Sequence, residues 1–304
     1  MNSAAAEPAL ARPQTRWTAD VALALVALVW GATFVMVKRA LLDISTMYFL
    51  SLRFALATAC MLVTFLPAFR RATRREVGRG LRGGVAAGLF LWLGYVLQSF
   101  GLKYTSAGNS GFLTGLYIVL VPIISAVCYR RWPQRRELTG IAIATAGMVV
   151  MTLPNFDSHS RINRGDLLTI GCAAVFACHL LILGYFSQRE FFPAVALGQI
   201  AATALLSSAC LAIEPPKVTW SGSVIWAICV TAIFATALAF ALQTWAQQYT
   251  TATRTALIFA LEPVFALAAA VGFGGEPLTI AALVGGALIL VGILAVELKP
   301  AASS

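Results

Sequence analysis

Charge is scarce in this sequence. Asp, Glu, Lys and Arg together supply 11% of the 304 residues, where a soluble domain carries about a quarter. A chain this poor in charge, and 60% hydrophobic, belongs in lipid. Histidine is scarcer still, with only His159 and His179. The cysteines Cys60, Cys128, Cys172, Cys178, Cys210 and Cys229 form no CxxC and fall within or at the ends of apolar segments. They therefore imply neither a disulfide framework nor a zinc site, and read as small buried hydrophobes. No HExxH, GxSxG or paired-carboxylate motif stands in the apolar runs, so no enzyme chemistry, metal or cofactor is expected. The net charge is +10, but the basic residues sit in short loops rather than in one patch, which argues against nucleic-acid binding.

What the sequence has is long apolar runs. Ten are placed near 19–37, 46–67, 83–101, 108–128, 138–153, 166–186, 193–213, 221–245, 252–273 and 279–297. Each approaches the ~20 residues a helix needs to cross a bilayer. Continuous apolarity excludes a β-barrel, whose strands alternate over ~10 residues. The expected fold is an all-α membrane protein of ten transmembrane helices built as two inverted five-helix repeats. The expected organisation is a disordered cytoplasmic N-terminus (1–18), a first repeat (19–153), a periplasmic linker (154–165), a second repeat (166–298) and a cytoplasmic tail (299–304). The first run is too long for a signal-peptide core and reads as an uncleaved span.

The repeat is visible directly. Tyr95–Leu153 lies on Phe240–Leu298 at a constant offset of 145 without a gap. Gln98 falls on Gln243, Thr105 on Thr250, Leu116 on Leu261, Gly140 on Gly285 and Gly147 on Gly292. Five spans per half is an odd number, so the second half must enter the bilayer inverted, as in many secondary transporters. Charge agrees. The loop after the second span carries Arg70, Arg71, Arg74, Arg75, Arg79 and Arg82, whereas its counterpart after the seventh has Lys217 and Glu214. With both termini on one side, fifteen Lys/Arg fall there, and only Lys38, Arg39, Lys103, Arg161, Arg164 and Lys217 fall opposite. The rule that Lys and Arg stay inside places both termini in the cytoplasm.

Trp30-Gly31-Ala32-Thr33-Phe34, Leu52-Arg53-Phe54, Leu102–Asn109, Leu261-Glu262-Pro263-Val264-Phe265 and Gly275-Glu276 resemble the EamA-type domains of the drug/metabolite transporter superfamily. The resemblance covers roughly residues 19–297. It implies a ten-helix inverted-repeat transporter of the bacterial inner membrane, exporting metabolites, amino acids or toxic organic compounds. The first repeat departs from the pattern, with Arg130-Arg131-Trp132-Pro133 where Gly-Glu is frequent.

Polar residues inside spans are the candidates for function, because each is costly unless it faces protein or water. Ser110, Thr114 and Tyr117 share one face of the fourth helix, and their repeat partners Thr255, Phe259 and Glu262 share one face of the ninth. The two stripes are expected to face each other across a central cavity. Glu262 lies near the midplane, where a carboxyl group could trade a proton for substrate, or bond between helices. Arg53 could snorkel to the surface, hold a substrate carboxylate or pair with Glu262. His179 could relay protons or make a structural hydrogen bond. Gln98 and Gln243, with Trp30, Thr33, Trp92 and Tyr95, complete the candidate substrate site. Pro122 and Pro263 are candidate hinges. Gly111 and Gly115, and the pairs at 140/147 and 285/292, are assigned to helix packing.

The expected function is export of a small organic metabolite, amino acid or drug-like solute by alternating access, with proton antiport through Glu262. An importer or exchanger is the alternative, and a passive channel a further one. The expected partners are that solute and the lipid bilayer, with a homodimer admitted and no nucleic acid.

Overall fold

The computed structural model describes residues 13–105, 107–129, 132–152, 163–274 and 278–297. They form ten helical spans: α1 (Pro13–Asp43), α2 (Thr46–Arg71), α3 (Arg74–Tyr104), α4 (Ala107–Gly115 and Tyr117–Tyr129), α5 (Arg135–Thr152), α6 (Arg164–Ser187), α7 (Phe192–Ala209), α8 (Gly222–Ala246), α9 (Ala252–Phe259 and Leu261–Gly274) and α10 (Ile280–Glu297). No strand occurs among the described residues; one isolated bridge joins Ile44 to Val218.

Two boundaries differ from expectation. α1 begins at Pro13, inside the stretch expected to be disordered. Proline suits a first helical turn because the N–H it lacks would have no partner there. α3 begins at Arg74, nine residues before the apolar run, because Thr73 and Glu76 form a reciprocal capping box that starts a helix over polar sequence. The 154–165 linker lies outside the described residues up to 162, and α6 already starts at Arg164. Arg12, the Arg130-Arg131 departure, Gly275-Glu276 and the 299–304 tail also lie outside them.

Helix packing follows the repeat. α3 packs on α6, and its counterpart α8 packs on α1. The second segment of α4 packs on α6, and the second segment of α9 on α1. α2 packs on α7, and α5 on α10, each helix against its own repeat partner. The α5–α10 contact is backbone on backbone. A Cβ on Gly147 would meet the Gly285 carbonyl oxygen at 2.6 Å, and one on Gly292 would meet that of Gly140 at 2.6 Å. Small residues here let the helices close, as the sequence suggests. Gly111 is different: no atom of the described residues lies within 4 Å of its would-be Cβ.

Both broken helices break within one residue of the same repeat position. In α4 the bonding tightens around Leu116, whose N–H reaches the Leu113 carbonyl. In α9 it tightens at Ala260, whose N–H reaches the Leu257 carbonyl. Gly115 and Ala260 are 145 residues apart. Pro263 explains the second break, since it cannot donate to Phe259 and its ring crowds that carbonyl. Pro122 stands six residues beyond the first break and does not account for it.

The face where α1 begins is called proximal, and the opposite face distal. Distally, the α1–α2 and α7–α8 connections join: Ser45 donates to the Lys217 carbonyl and Thr219 to that of Asp43, both at 2.8 Å. Glu214 accepts from the Met47 N–H at 2.7 Å and pairs with Lys103 at 3.5 Å.

Candidate functional site

The site starts from an irregularity in α8. Ile233–Leu238 winds as a π-helix, a wider turn that is rare and concentrates at functional sites. Its Ala235 carbonyl accepts from Trp30 Nε1 at 2.9 Å and from Arg53 Nη2 at 3.3 Å. Arg53 Nε donates to Thr236 Oγ1 at 2.7 Å, and Nη2 also donates to Tyr95 Oη at 3.2 Å. The guanidinium lies over the Tyr95 ring, 4.8 Å from its centroid. Arg53 is only 4% exposed, so it points into the protein and does not snorkel. No carboxylate pairs with it among the described residues, whose ion pairs are Arg79–Glu190, Lys103–Glu214 and Asp20–Arg254.

Around this arginine lies a cavity with a void of about 730 Å³, counted to its open mouth. Helical stripes build its wall. α1 contributes Trp30, Thr33, Phe34 and Val37; α3 contributes Leu91, Tyr95, Gln98, Ser99 and Leu102. These are i, i+3, i+4, i+7 spacings, one face of a helix. α6 adds Phe176, His179 and Leu180, α8 adds Phe240 and Gln243, α4 adds Thr114 and Tyr117, and α9 adds Phe259 and Glu262. Leu102 lies two residues from the distal end of α3, so the cavity reaches toward the distal face. Proximally the helices are tied. Arg254 grips Asp20 with two bonds, Nε to Oδ1 at 3.1 Å and Nη2 to Oδ2 at 2.7 Å. Gln188 donates to the Gln247 and Thr250 carbonyls.

Tyr117 and Glu262 meet: the phenol oxygen lies 3.5 Å from Glu262 Oε2, the outer limit of a hydrogen bond. They are repeat partners at offset 145, and each sits just past the break in its helix. Residues related by the pseudo-twofold touch only near its axis, so this pair lies close to that axis. The α1 backbone is close by; a Cβ on Gly31 would meet the Glu262 carbonyl oxygen at 2.5 Å.

Eleven of the fourteen candidate residues thus line one cavity: Trp30, Thr33, Arg53, Tyr95, Gln98, Thr114, Tyr117, His179, Gln243, Phe259 and Glu262. Three stand outside it. Trp92 sits just past the edge of the α3 stripe, about 20° beyond Ser99 and about 100° from Leu91, and does not line the cavity. Ser110 is fully buried, as is Thr255, whose hydroxyl bonds its own backbone at Thr251. The two stripes therefore face the cavity at their inner ends, around the Tyr117–Glu262 crossing, and leave it one turn away. Arg53 is bonded to Thr236, Tyr95 and Ala235 rather than to Glu262.

His179 makes a structural hydrogen bond as well as lining the wall. Its Nε2 lies 2.8 Å from Gln199 Oε1, Gln199 Nε2 donates to Thr244 Oγ1 at 2.9 Å, and Thr244 donates to the Phe240 carbonyl. The chain fixes the tautomer with the proton on Nε2 and links α6, α7 and α8. Sequence reading missed Gln199. Its signal was an amide in the middle of an apolar run. It also missed Phe34, Phe176 and Phe240, which fall on the stripes already defined by Trp30, His179 and Gln243. We expect Gln199→Leu to strand the buried His179 N–H and cost about 2 kcal/mol, read as a lower unfolding midpoint in detergent; an unchanged midpoint would show the chain to be dispensable.

Ten helices in two inverted repeats around a polar-lined central cavity define a multi-pass membrane transporter fold. The EamA-like transporter family model matches residues 17–153 and again 163–298. This chain belongs to that family, carrying its domain twice. An uncharacterized transporter of Archaeoglobus fulgidus is 35% identical over 93% of this chain and 87% of its own length. A Salmonella typhimurium protein named a probable amino-acid metabolite efflux pump is 28% identical over 88% of this chain and 91% of its own. A solved crystal structure shares the fold with a TM-score of 0.74, at 20% identity over 92% of this chain and 97% of that one. The protein is accordingly a transporter of small solutes.

Proposed function

We propose that the protein is a secondary active exporter that moves a small organic metabolite or amino acid outward by alternating access in exchange for a proton, with Glu262 as the proton carrier. The observation that carries this reading is the Tyr117–Glu262 contact at the crossing of the two repeats, on the wall of a cavity that extends toward the distal face while the helices are bonded together at the proximal one. A carboxyl group in that place senses both solute and access. The distribution of Lys and Arg makes the proximal face cytoplasmic, with both termini inside and the cavity reaching outward. The membrane is then the bacterial inner membrane. The breaks at Leu116 and Ala260, with Pro122 and Pro263 beyond them, supply the hinges about which each repeat opens. The name of the Salmonella typhimurium relative supports an amino-acid or related cargo.

The test is counterflow in proteoliposomes loaded with fractions of a bacterial metabolite extract. Saturable exchange of a labelled solute, faster in the presence of the same solute on the opposite side, is the expected result. Unsaturable downhill flux without counterflow would make the protein a channel and overturn the proposal.

A further inference from the structure

We infer that the cavity selects solutes that carry a carboxylate, received by the Arg53 guanidinium, and that the π segment of α8 exists to hold that receptor in place. The inference rests on the transporter reading in taking the cavity as the solute site.

Three observations support it. First, Arg53 is a buried cation within a membrane span and has no acidic partner among the described residues. Its bonds go to a hydroxyl, a phenol and a carbonyl, all formally neutral. Charged residues inside the bilayer are costly and almost always find an opposite charge or mark a solute path. Second, those bonds occupy Nε and Nη2 and leave Nη1 with no partner among the described residues, and Arg53 lines the cavity. A guanidinium fixed on one edge and free on the other is preorganised for a carboxylate, which takes charge-assisted bonds from it. Third, Gln243 is 1% exposed, lines the same cavity, and its Oε1 has no hydrogen-bond partner among the described residues. A buried carbonyl oxygen left in that state asks for a donor, which a solute with an ammonium or hydroxyl beside its carboxylate would provide. Trp30, Phe240 and Phe259 leave apolar wall for the remainder of the molecule.

The π segment explains why the fork stays put. Trp30 and Arg53 both donate to Ala235, and Thr236 beside it takes Nε. Thr236 is therefore a positioning residue, acting on the solute only through Arg53.

The experiment compares four probes of one shape in proteoliposome counterflow and in thermal protection of the purified protein: L-phenylalanine, hydrocinnamate, L-phenylalaninamide and phenethylamine. The native protein is expected to exchange the two carboxylates at least about tenfold better than the amide and the amine, since a site built for a charged hydrogen bond rejects the analogue without it. Arg53→Lys keeps the charge but loses the fork, and is expected to reduce the acid-over-amide preference below about threefold. Thr236→Val should lower the preference part of the way with no change in unfolding midpoint beyond that of a surface control. Equal or better exchange of the amine would overturn the carboxylate receptor while leaving the transporter reading standing. An Arg53→Lys protein that loses acid and amide in equal measure would make Arg53 structural and overturn it likewise. Failure of all four probes, in protein that does exchange solutes from a metabolite extract, overturns the receptor alone. Failure of the probes and the extract together overturns both readings.

Discussion

Glu262→Gln is expected to abolish uphill transport while leaving exchange intact. In proteoliposomes one pH unit more acid inside than outside, with the membrane potential clamped at zero, one-for-one proton antiport sustains about a tenfold accumulation of solute, because a tenfold gradient is worth about 1.4 kcal/mol. Glutamine preserves the shape of the side chain and can still meet Tyr117, 3.5 Å away in the native protein. It cannot take up or release a proton. The variant should therefore accumulate nothing above equilibrium, a ratio near one, yet continue to swap labelled for unlabelled solute. Retained tenfold accumulation would remove Glu262 from the coupling. Loss of counterflow as well would show that the carboxylate is needed for binding or for the helix crossing, where Gly31 brings α1 against the Glu262 backbone.

The second large effect concerns architecture. Gly147→Leu and Gly285→Leu should each prevent α5 and α10 from closing. Each glycine faces a backbone carbonyl of the partner helix, and neither backbone can retreat without separating the pair. Overpacking a soluble core costs about 1–3 kcal/mol. Here the penalty falls on an interface that hydrophobic burial cannot rescue, because lipid is as apolar as leucine and close packing is what holds helices together. We expect the monodisperse yield in mild detergent to collapse, with at least 3 kcal/mol of stability lost by the overpacking scale just given, about the top of that range. Gly111→Ala provides the contrast. With open space where the Cβ would go, it should leave folding unchanged or gain about 0.5–1 kcal/mol from helix propensity. Normal yield and midpoint for Gly147→Leu would show the two helices are free to part.

Much of the site could be read in advance because lipid makes each polar residue conspicuous. The offset of 145 joined Tyr117 to Glu262 before any coordinates did, and the stripe on α4 and α9 led to the crossing. The stripe failed at Ser110 and Thr255 because periodicity gives a face but not the length over which two crossing helices stay together. Trp92 was the closest miss: aromatic character suggested a wall residue, and it stands at the edge of the α3 stripe, just beyond Ser99, without lining the cavity. The π segment had no signal at all. Ile-Phe-Ala-Thr-Ala-Leu reads as ordinary helix, so the partners of Arg53 were invisible and its three alternatives stayed open. The α9 break was legible in Pro263, but the α4 break required its repeat partner to locate it. Gln199 was hidden among small apolar neighbours, and only its distance to His179 gives it a role.

The proximal tie has a counterpart that is built differently. Asp166, one residue off the constant register from Asp20, accepts from the Thr105 hydroxyl at 2.7 Å at the distal end of α6. The position equivalent to Arg254 is Asn109. The proximal tie is thus an ion pair, whereas its distal counterpart is a hydroxyl–carboxylate hydrogen bond, with Lys103 and Glu214 pairing separately at that end. Side chains on the ionic tie are only 16% and 17% exposed, so salt screens it much less than it would a surface pair. A molecule built from two like halves is therefore fastened by different chemistry at its two ends, and Arg254, standing where the first half has Asn109, is where the halves part.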